Sequence, residues 1–313
     1  MGTGRRNKLI VILGPTASGK SDLAVLIARK ISRHKIGQFK GAEIVSADSR
    51  QVYREMNIGS GKITKREMMN IPHHLIDVAS PKRKFSVVRY QKLARKKIKQ
   101  ISVKNKVPIL CGGSPFYIKS LTEGIKFPDA APDWNFRKKL EKKKAGDLYR
   151  MLQKKDPRRA ETIEKNNPRR LIRALEIINQ TRNPVAPPNF YPEYRLLVIG
   201  IKKSKKELNG KIKRRMEGRI KKGMVAEVKN LKKLGLSWQR IESFGLEYRW
   251  IAEYLQKKIS FQEMKEGLLR DIIKFSKKQM SWWKNDKRIR WITSAAQAEI
   301  LVKKFLEKNN ILV

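Results

Sequence analysis

Gly14-Pro15-Thr16-Ala17-Ser18-Gly19-Lys20-Ser21 has the residue types and spacing of a loop that holds phosphate. Glycines let such a loop curl until successive backbone N–H groups converge on phosphate oxygens. The N-terminus of a following helix adds partial positive charge. Lys20 supplies a mobile full charge for the terminal phosphate, and the Ser21 hydroxyl can hold Mg²⁺. A second candidate is Asp48, in Asp48-Ser49-Arg50-Gln51-Val52-Tyr53. A carboxylate there can act as a metal ligand, as a general base, or as the N-cap of a helix, and the residue types alone favour none of the three. The third is Gly112-Gly113-Ser114, where two residues without side chains let another backbone or a ligand come close.

These groups need elements that bring them to one place. The phosphate loop follows an apolar run of strand length, Leu9-Ile10-Val11-Ile12-Leu13, and precedes a helical apolar stripe over 22–29. Glu43-Ile44-Val45-Ser46-Ala47 reads as a second buried strand ending at Asp48, and Pro108-Ile109-Leu110-Cys111 as a third ending at Gly112. In an open α/β sheet, groups just beyond the carboxyl ends of parallel strands line the ligand crevice. All three candidates would then converge. Helical spacing runs from Ser86 to Ser102. Arg195 to Gly200 reads as a fourth strand, and Arg290-Trp291-Ile292 as a last one before a closing helix.

Phe127 to Pro132 has the composition of a linker, and from Trp134 to about Gln180 the pattern is helical, highly charged and without strand signals. Asn166-Asn167-Pro168 predicts the start of a helix whose apolar face is Leu171, Ala174, Leu175 and Ile178. The fold class expected is therefore α/β. It has a nucleotide-binding, P-loop type parallel sheet core in two parts, 1–126 and 191–313, and a helical insertion domain at 127–190. From Lys205 to Lys233 the pattern is a basic helix broken at Gly223. Phe275, Trp282 and Trp283 interleave with Lys274, Lys277, Lys278 and Lys284, a pattern that fits RNA stacking or a helix that is half core and half solvated.

With 313 residues, 40% of them hydrophobic, the chain can bury a sizeable core. Lys and Arg total 74 against 28 Asp and Glu, a net charge of +46 that favours a polyanionic partner such as nucleic acid. The single cysteine, Cys111, rules out an intrachain disulfide or a cysteine zinc site and fits a reducing cytoplasm. No apolar run is long enough to span a membrane. His73-His74 resembles a metal pair, but adjacent side chains diverge on a strand or helix, so zinc is not expected.

The set of motifs, in its order, resembles the tRNA dimethylallyltransferases (IPP transferases). The resemblance rests on Gly14–Ser21, Asp48 to Tyr53, Ile58-Gly59 with Lys62, Pro72 to Asp77, Gly112-Gly113-Ser114 with Tyr117, Arg169 to Glu176, and the tail Lys277-Lys278-Gln279 with Trp282. It covers nearly the whole chain. It implies transfer of a dimethylallyl group from dimethylallyl diphosphate to N6 of the adenosine 3′ of the anticodon, with diphosphate leaving. On this resemblance, Gly14, Pro15, Thr16, Ala17, Ser18, Gly19, Lys20 and Ser21 hold the diphosphate, and Ser21 holds Mg²⁺. Asp48 matches the base and Ser114 a catalytic hydroxyl. Asp48, Ser49, Arg50, Gln51, Ser114, Arg137, the stretch Arg169, Arg170, Leu171, Ile172, Arg173, and the stretch Ser243, Phe244, Gly245, Leu246, Glu247 match tRNA-contacting positions. The adenine is expected to flip out of its stack into a channel while the helical insert closes over the anticodon arm, in a cytoplasmic enzyme acting as a monomer.

The chain departs from the family pattern in Ser114 for Thr, Pro115-Phe116 for Gly-Leu, Leu246 for Tyr and Ile273 for Arg. Three rivals share parts of the pattern: a nucleotide kinase using the loop on ATP, a transferase acting on free AMP or ADP, and an RNA-binding protein with a relic loop. The basic charge and the insert disfavour the first two. Intact Lys20, Ser21 and Asp48 disfavour the third.

Overall fold

A computed structural model of the chain describes residues 7–187 and 189–307. It divides into two compact units, one of residues 1–123 and 192–313 and one of Gly124–Tyr191.

The first unit is built on six parallel strands: β1 (Asn7–Leu13), β2 (Ala42–Ser46), β3 (His73–His74), β4 (Val107–Gly112), β5 (Tyr194–Ile201) and β6 (Ile289–Ile292). Their order across the sheet is β3-β2-β4-β1-β5-β6. The apolar runs expected to be strands are all in it, and β3 is a short edge strand that the sequence pattern did not announce. Its two histidines do diverge: the His73 ring meets the Ile71 carbonyl, and that of His74 meets Glu43.

Side chains alternate across the central strand. Leu9, Val11 and Leu13 enter the core on one face, and Ile10 and Ile12 enter it on the other. The helices Lys20–His34 and Ala295–Glu307 cover the second face through Ala24, Ile27, Ile31, Ala298 and Val302. Helices Val87–Val103, Lys205–Lys221, Met224–Lys233, Leu246–Leu255 and Phe261–Trp283 pack on the first. A parallel sheet buried on both faces needs near-continuous apolar strands, and β1 and β4 are fully buried over their central residues. Gly223, at φ 96°, separates the two basic helices where the sequence breaks. Trp283 is buried while Trp282 stays exposed with Lys119 over its ring, so this helix is half core and half surface. No helix among the described residues is long and apolar enough to cross a membrane.

The second unit is helical. Trp134–Leu140, Ala145–Lys155, Pro157–Thr162 and Pro168–Thr181 enclose a core of Leu148, Leu152, Leu171, Leu175 and their neighbours. Asn167 caps the last of these helices, its side chain accepting from Arg170 N, and Pro168 takes the first turn, where its missing N–H costs nothing.

Candidate active site

Because the strands are parallel, the residues that follow β1, β2 and β4 emerge at one edge of the sheet. After β1 the chain curls through Gly14 (φ 154°), Ala17 (φ 61°) and Gly19 (φ 90°) into the helix that starts at Lys20. The Lys20 amine folds back onto the Pro15 carbonyl at 2.6 Å. That amine is buried even though the residue as a whole is half-exposed, and burial lowers its pKa to about 8. The Ser18 hydroxyl is buried with no hydrogen-bond partner. A buried, unpaired hydroxyl in a curled loop beside a lysine suits an anion cradle.

Asp48 follows β2. Its Oδ1 accepts from the backbone N–H of Arg50 (2.8 Å) and Gln51 (3.3 Å), closing a turn rather than capping a helix. Its Oδ2 takes no hydrogen bond from the described residues. Ser114 follows β4. Its Oγ accepts from Ser49 N at 2.9 Å, and its own N–H donates to the Ala47 carbonyl. Gly112 must be glycine here, since a Cβ would lie 2.2 Å from the Ala47 carbonyl oxygen. Tyr90 and Tyr117 stack at 3.9 Å nearby, and burial raises both phenols far out of the titrating range. The charges of Asp48 and Arg215 both act on the Lys20 amine, Asp48 raising its pKa and Arg215 lowering it, each by less than burial does. Cys111 behaves as a small hydrophobe, its thiol pushed up to about 12 by burial.

Gln279 ties two of these strand ends together. Its Oε1 accepts from Thr16 N (2.8 Å) and its Nε2 donates to the Gly113 carbonyl (2.6 Å). The sequence marked this glutamine only as part of a tail pattern. Two arginines were missed altogether. Arg215 and Arg219 lie one turn apart on the helix Lys205–Lys221 and, with Thr16, Ala17 and Glu247, line a small cleft over the phosphate loop. Their i,i+4 spacing was readable, but the helix carries basic residues on every side. A third missed residue is Glu227, a buried carboxylate that accepts from the N–H groups of Asn57, Ile58 and Gly59 and from the Tyr248 hydroxyl. A larger hollow between the helices Lys20–His34 and Ala295–Glu307 contains none of these residues.

The stretches at 48–51 and 243–247 come together. Arg50 Nε donates to the Phe244 carbonyl at 2.6 Å, and the Phe244 ring meets Tyr53 edge-on at 5.2 Å. Gln51 Nε2 donates to Gly61 O, and Ser243 Oγ donates to Arg240 O. The Phe244 side chain is buried, so only its backbone can meet a ligand. Gly245 (φ 73°) has open space where a side chain would be, Leu246 follows at φ 39°, and the Glu247 carboxylate points to Arg219.

In the helical unit, Arg169 and Arg170 are exposed, whereas Leu171 and Ile172 are core residues. The expectation that those two side chains contact RNA is corrected on that ground: an amphipathic helix cannot present its apolar face both inward and outward. Arg137 and Arg173 both bind the fully buried Glu176.

Comparison with known proteins bears on the family and the fold. The model of the IPP transferase family matches residues 51–286. A curated relative named tRNA dimethylallyltransferase, from Carboxydothermus hydrogenoformans, is 39% identical over 93% of this chain and 93% of its own. A tRNA isopentenylpyrophosphate transferase structure from Bacillus halodurans superposes with a TM-score of 0.71 at 32% identity, covering 96% of this chain and 97% of that one. A eukaryotic dimethylallyltransferase whose structures describe it acting on tRNA shares the fold, with a TM-score of 0.76 at 22% identity over 95% of this chain and 77% of that one.

Proposed function

The chain belongs to the IPP transferase family, and we propose that it transfers a dimethylallyl group from dimethylallyl diphosphate to N6 of the adenosine 3′ of the anticodon, yielding isopentenyladenosine in tRNA and free diphosphate. The observation that carries this is the convergence of a phosphate cradle, a carboxylate with one oxygen unengaged and a hydroxyl at one sheet edge, tied together by Gln279 and by the Ser49–Ser114 bond.

N6 of adenine is a weak nucleophile because its lone pair is delocalised into the ring. As N6 attacks the allylic carbon, the C–O bond to diphosphate breaks and N6 becomes more acidic. Asp48 Oδ2 orients the amine and takes its proton. Ser114 holds the Asp48 turn through Ser49 N and offers its hydroxyl to the nucleoside. The amides of Gly14 to Ser21 with Lys20 and Arg215 receive the charge that builds on the leaving diphosphate. Once phosphate binds, Lys20 exchanges the Pro15 carbonyl for a phosphate oxygen.

The donor set fits Mg²⁺. Mg²⁺ uses only one or two protein oxygens beside phosphate and water, and Ser21, in the first turn of the helix Lys20–His34, brings one hydroxyl oxygen. The Ser21 hydroxyl would hold it, and the ion would neutralise leaving-group charge.

The surfaces at Asp48 to Gln51, Ser243 to Glu247, Arg137, Arg169, Arg170 and Arg173 would meet the anticodon arm, with the insert at 127–190 lying over it. The enzyme would act as a cytoplasmic monomer. Incubation with radiolabelled dimethylallyl diphosphate and tRNA, AMP or ATP tests the assignment. Label should enter tRNA alone. Label on AMP, or phosphoryl transfer from ATP, would replace this reading.

A further inference from the structure

Arg219 reaches the cleft over the phosphate loop by an unusual route. Gly61, at φ 58°, has no side chain, and a Cβ built there would lie 1.5 Å from Arg219 Nη2 and 2.7 Å from Arg215 Nη2. Any larger residue would drive the guanidinium of Arg219 out of its place. The loop carrying Gly61 cannot easily yield, because Glu227 holds the N–H groups of Asn57, Ile58 and Gly59 at 2.7, 2.6 and 3.0 Å.

Arg219 is nevertheless weakly engaged. Its Nη1 is 3.3 Å from Gly59 O and 3.3 Å from Glu247 Oε1, and Arg215 Nη2 is 3.5 Å from Gly61 O. Charge-assisted hydrogen bonds are ordinarily about 2.7–2.9 Å. Lys20, Arg215 and Arg219 thus share one small region, where Glu247, Asp48 and Asp22 are the counter-charges that act on Arg215. Burial and the like charge of Arg219 lower the Arg215 pKa to about 10, the repulsion an incoming anion would relieve.

We propose that Arg219, admitted by Gly61 and held ready by Glu247, is a further binding residue for the diphosphate of the donor. Its planar fork can exchange the two long contacts for short paired ones to phosphate oxygens. The inference rests on the transferase reading and names a residue for its donor site.

The test uses the whole protein, Mg²⁺ and inorganic diphosphate, with binding measured by calorimetry and no tRNA present. Arg219→Met should weaken diphosphate binding about tenfold or more, the loss expected of a hydrogen bond to a charged group, while tRNA affinity stays as in wild type. Gly61→Ala should weaken it in the same direction with Arg219 intact, which keeps the test decisive if the methionine variant folds poorly. Unchanged diphosphate affinity in either folded variant overturns the inference. Wild-type protein that transfers no label to tRNA sinks the transferase reading instead, and the two failures are read from separate assays.

Discussion

Two carboxylates, the fully buried Glu176 in the helical unit and the partly buried Glu247 in the sheet unit, each face arginines, with opposite results. Glu176 accepts from Arg137 Nε and Nη2 at 2.7 and 2.6 Å, from Arg173 Nη1 and from Asp133 N. Burial alone would raise its pKa, but those donors outweigh burial and hold it below the usual carboxylate range. Glu247 has one long contact to Arg219, and burial holds its pKa above that range. The same residue types thus make a saturated cluster that supports a fold and an unsaturated one that can receive a ligand. What separates them is the number and length of the hydrogen bonds around the carboxylate.

The sharpest way to break this contrast is to delete each carboxylate. Glu176→Ala strands two arginines and should cost about 3 kcal/mol of stability, the low end for a broken buried pair because both guanidiniums are partly exposed. Glu247→Ala should shift the thermal midpoint far less. Equal shifts by calorimetry would mean that the two clusters do not differ in kind.

Lys20 probes the ligand-ready side. Lys20→Ala should lose at least about 2 kcal/mol of transition-state stabilisation, as single electrostatic donors do. Wild-type turnover in that variant would show that the loop does not hold the reacting group. The pH dependence follows from burial. Between the folded value of about 8 and the ordinary 10.5, the folded protein has released a proton that the unfolded chain keeps. Free-enzyme affinity for diphosphate should therefore fall as pH rises through about 8, and binding near that pH should take up a proton. Affinity that is flat from pH 7 to 9 would contradict it.

The smallest expected effect is electrostatic and lies in the helical unit. Arg137 and Arg173 are already committed to Glu176, and Arg170 to the exposed Glu164, while Arg169 has no ion pair among the described residues. Replacing Arg169 and Arg170 by Ala should flatten the slope of log tRNA affinity against log salt by about one unit per lost phosphate contact. An unchanged slope would assign that field to the lysines.

Much of this was legible in the sequence because it is local. The phosphate loop is eight consecutive residues between a strand and a helix, and Asp48 and Ser114 each follow an apolar run. Parallel strands then bring their ends together without any further information. Glu227 and Arg219 were not legible, because each acts on a loop more than 150 residues away in the chain and nothing in its own neighbourhood distinguishes it, while the tail pattern marked Gln279 without showing the loops it joins. Leu171 and Ile172 show the converse. A motif names consecutive residues, but helical periodicity turns some of them inward.

The account turns on Asp48. Asparagine keeps its shape and still accepts the N–H groups of Arg50 and Gln51, but cannot take a proton from N6. Single-turnover kinetics on a pre-formed complex of enzyme, tRNA and donor isolates the chemical step. Asp48→Asn should bind both substrates and react about 10²–10⁴-fold more slowly, the range of a lost acid–base group. An unaltered chemical step would contradict the assignment of Asp48 as the base, and a rate restored by excess Mg²⁺ would make it a metal ligand instead.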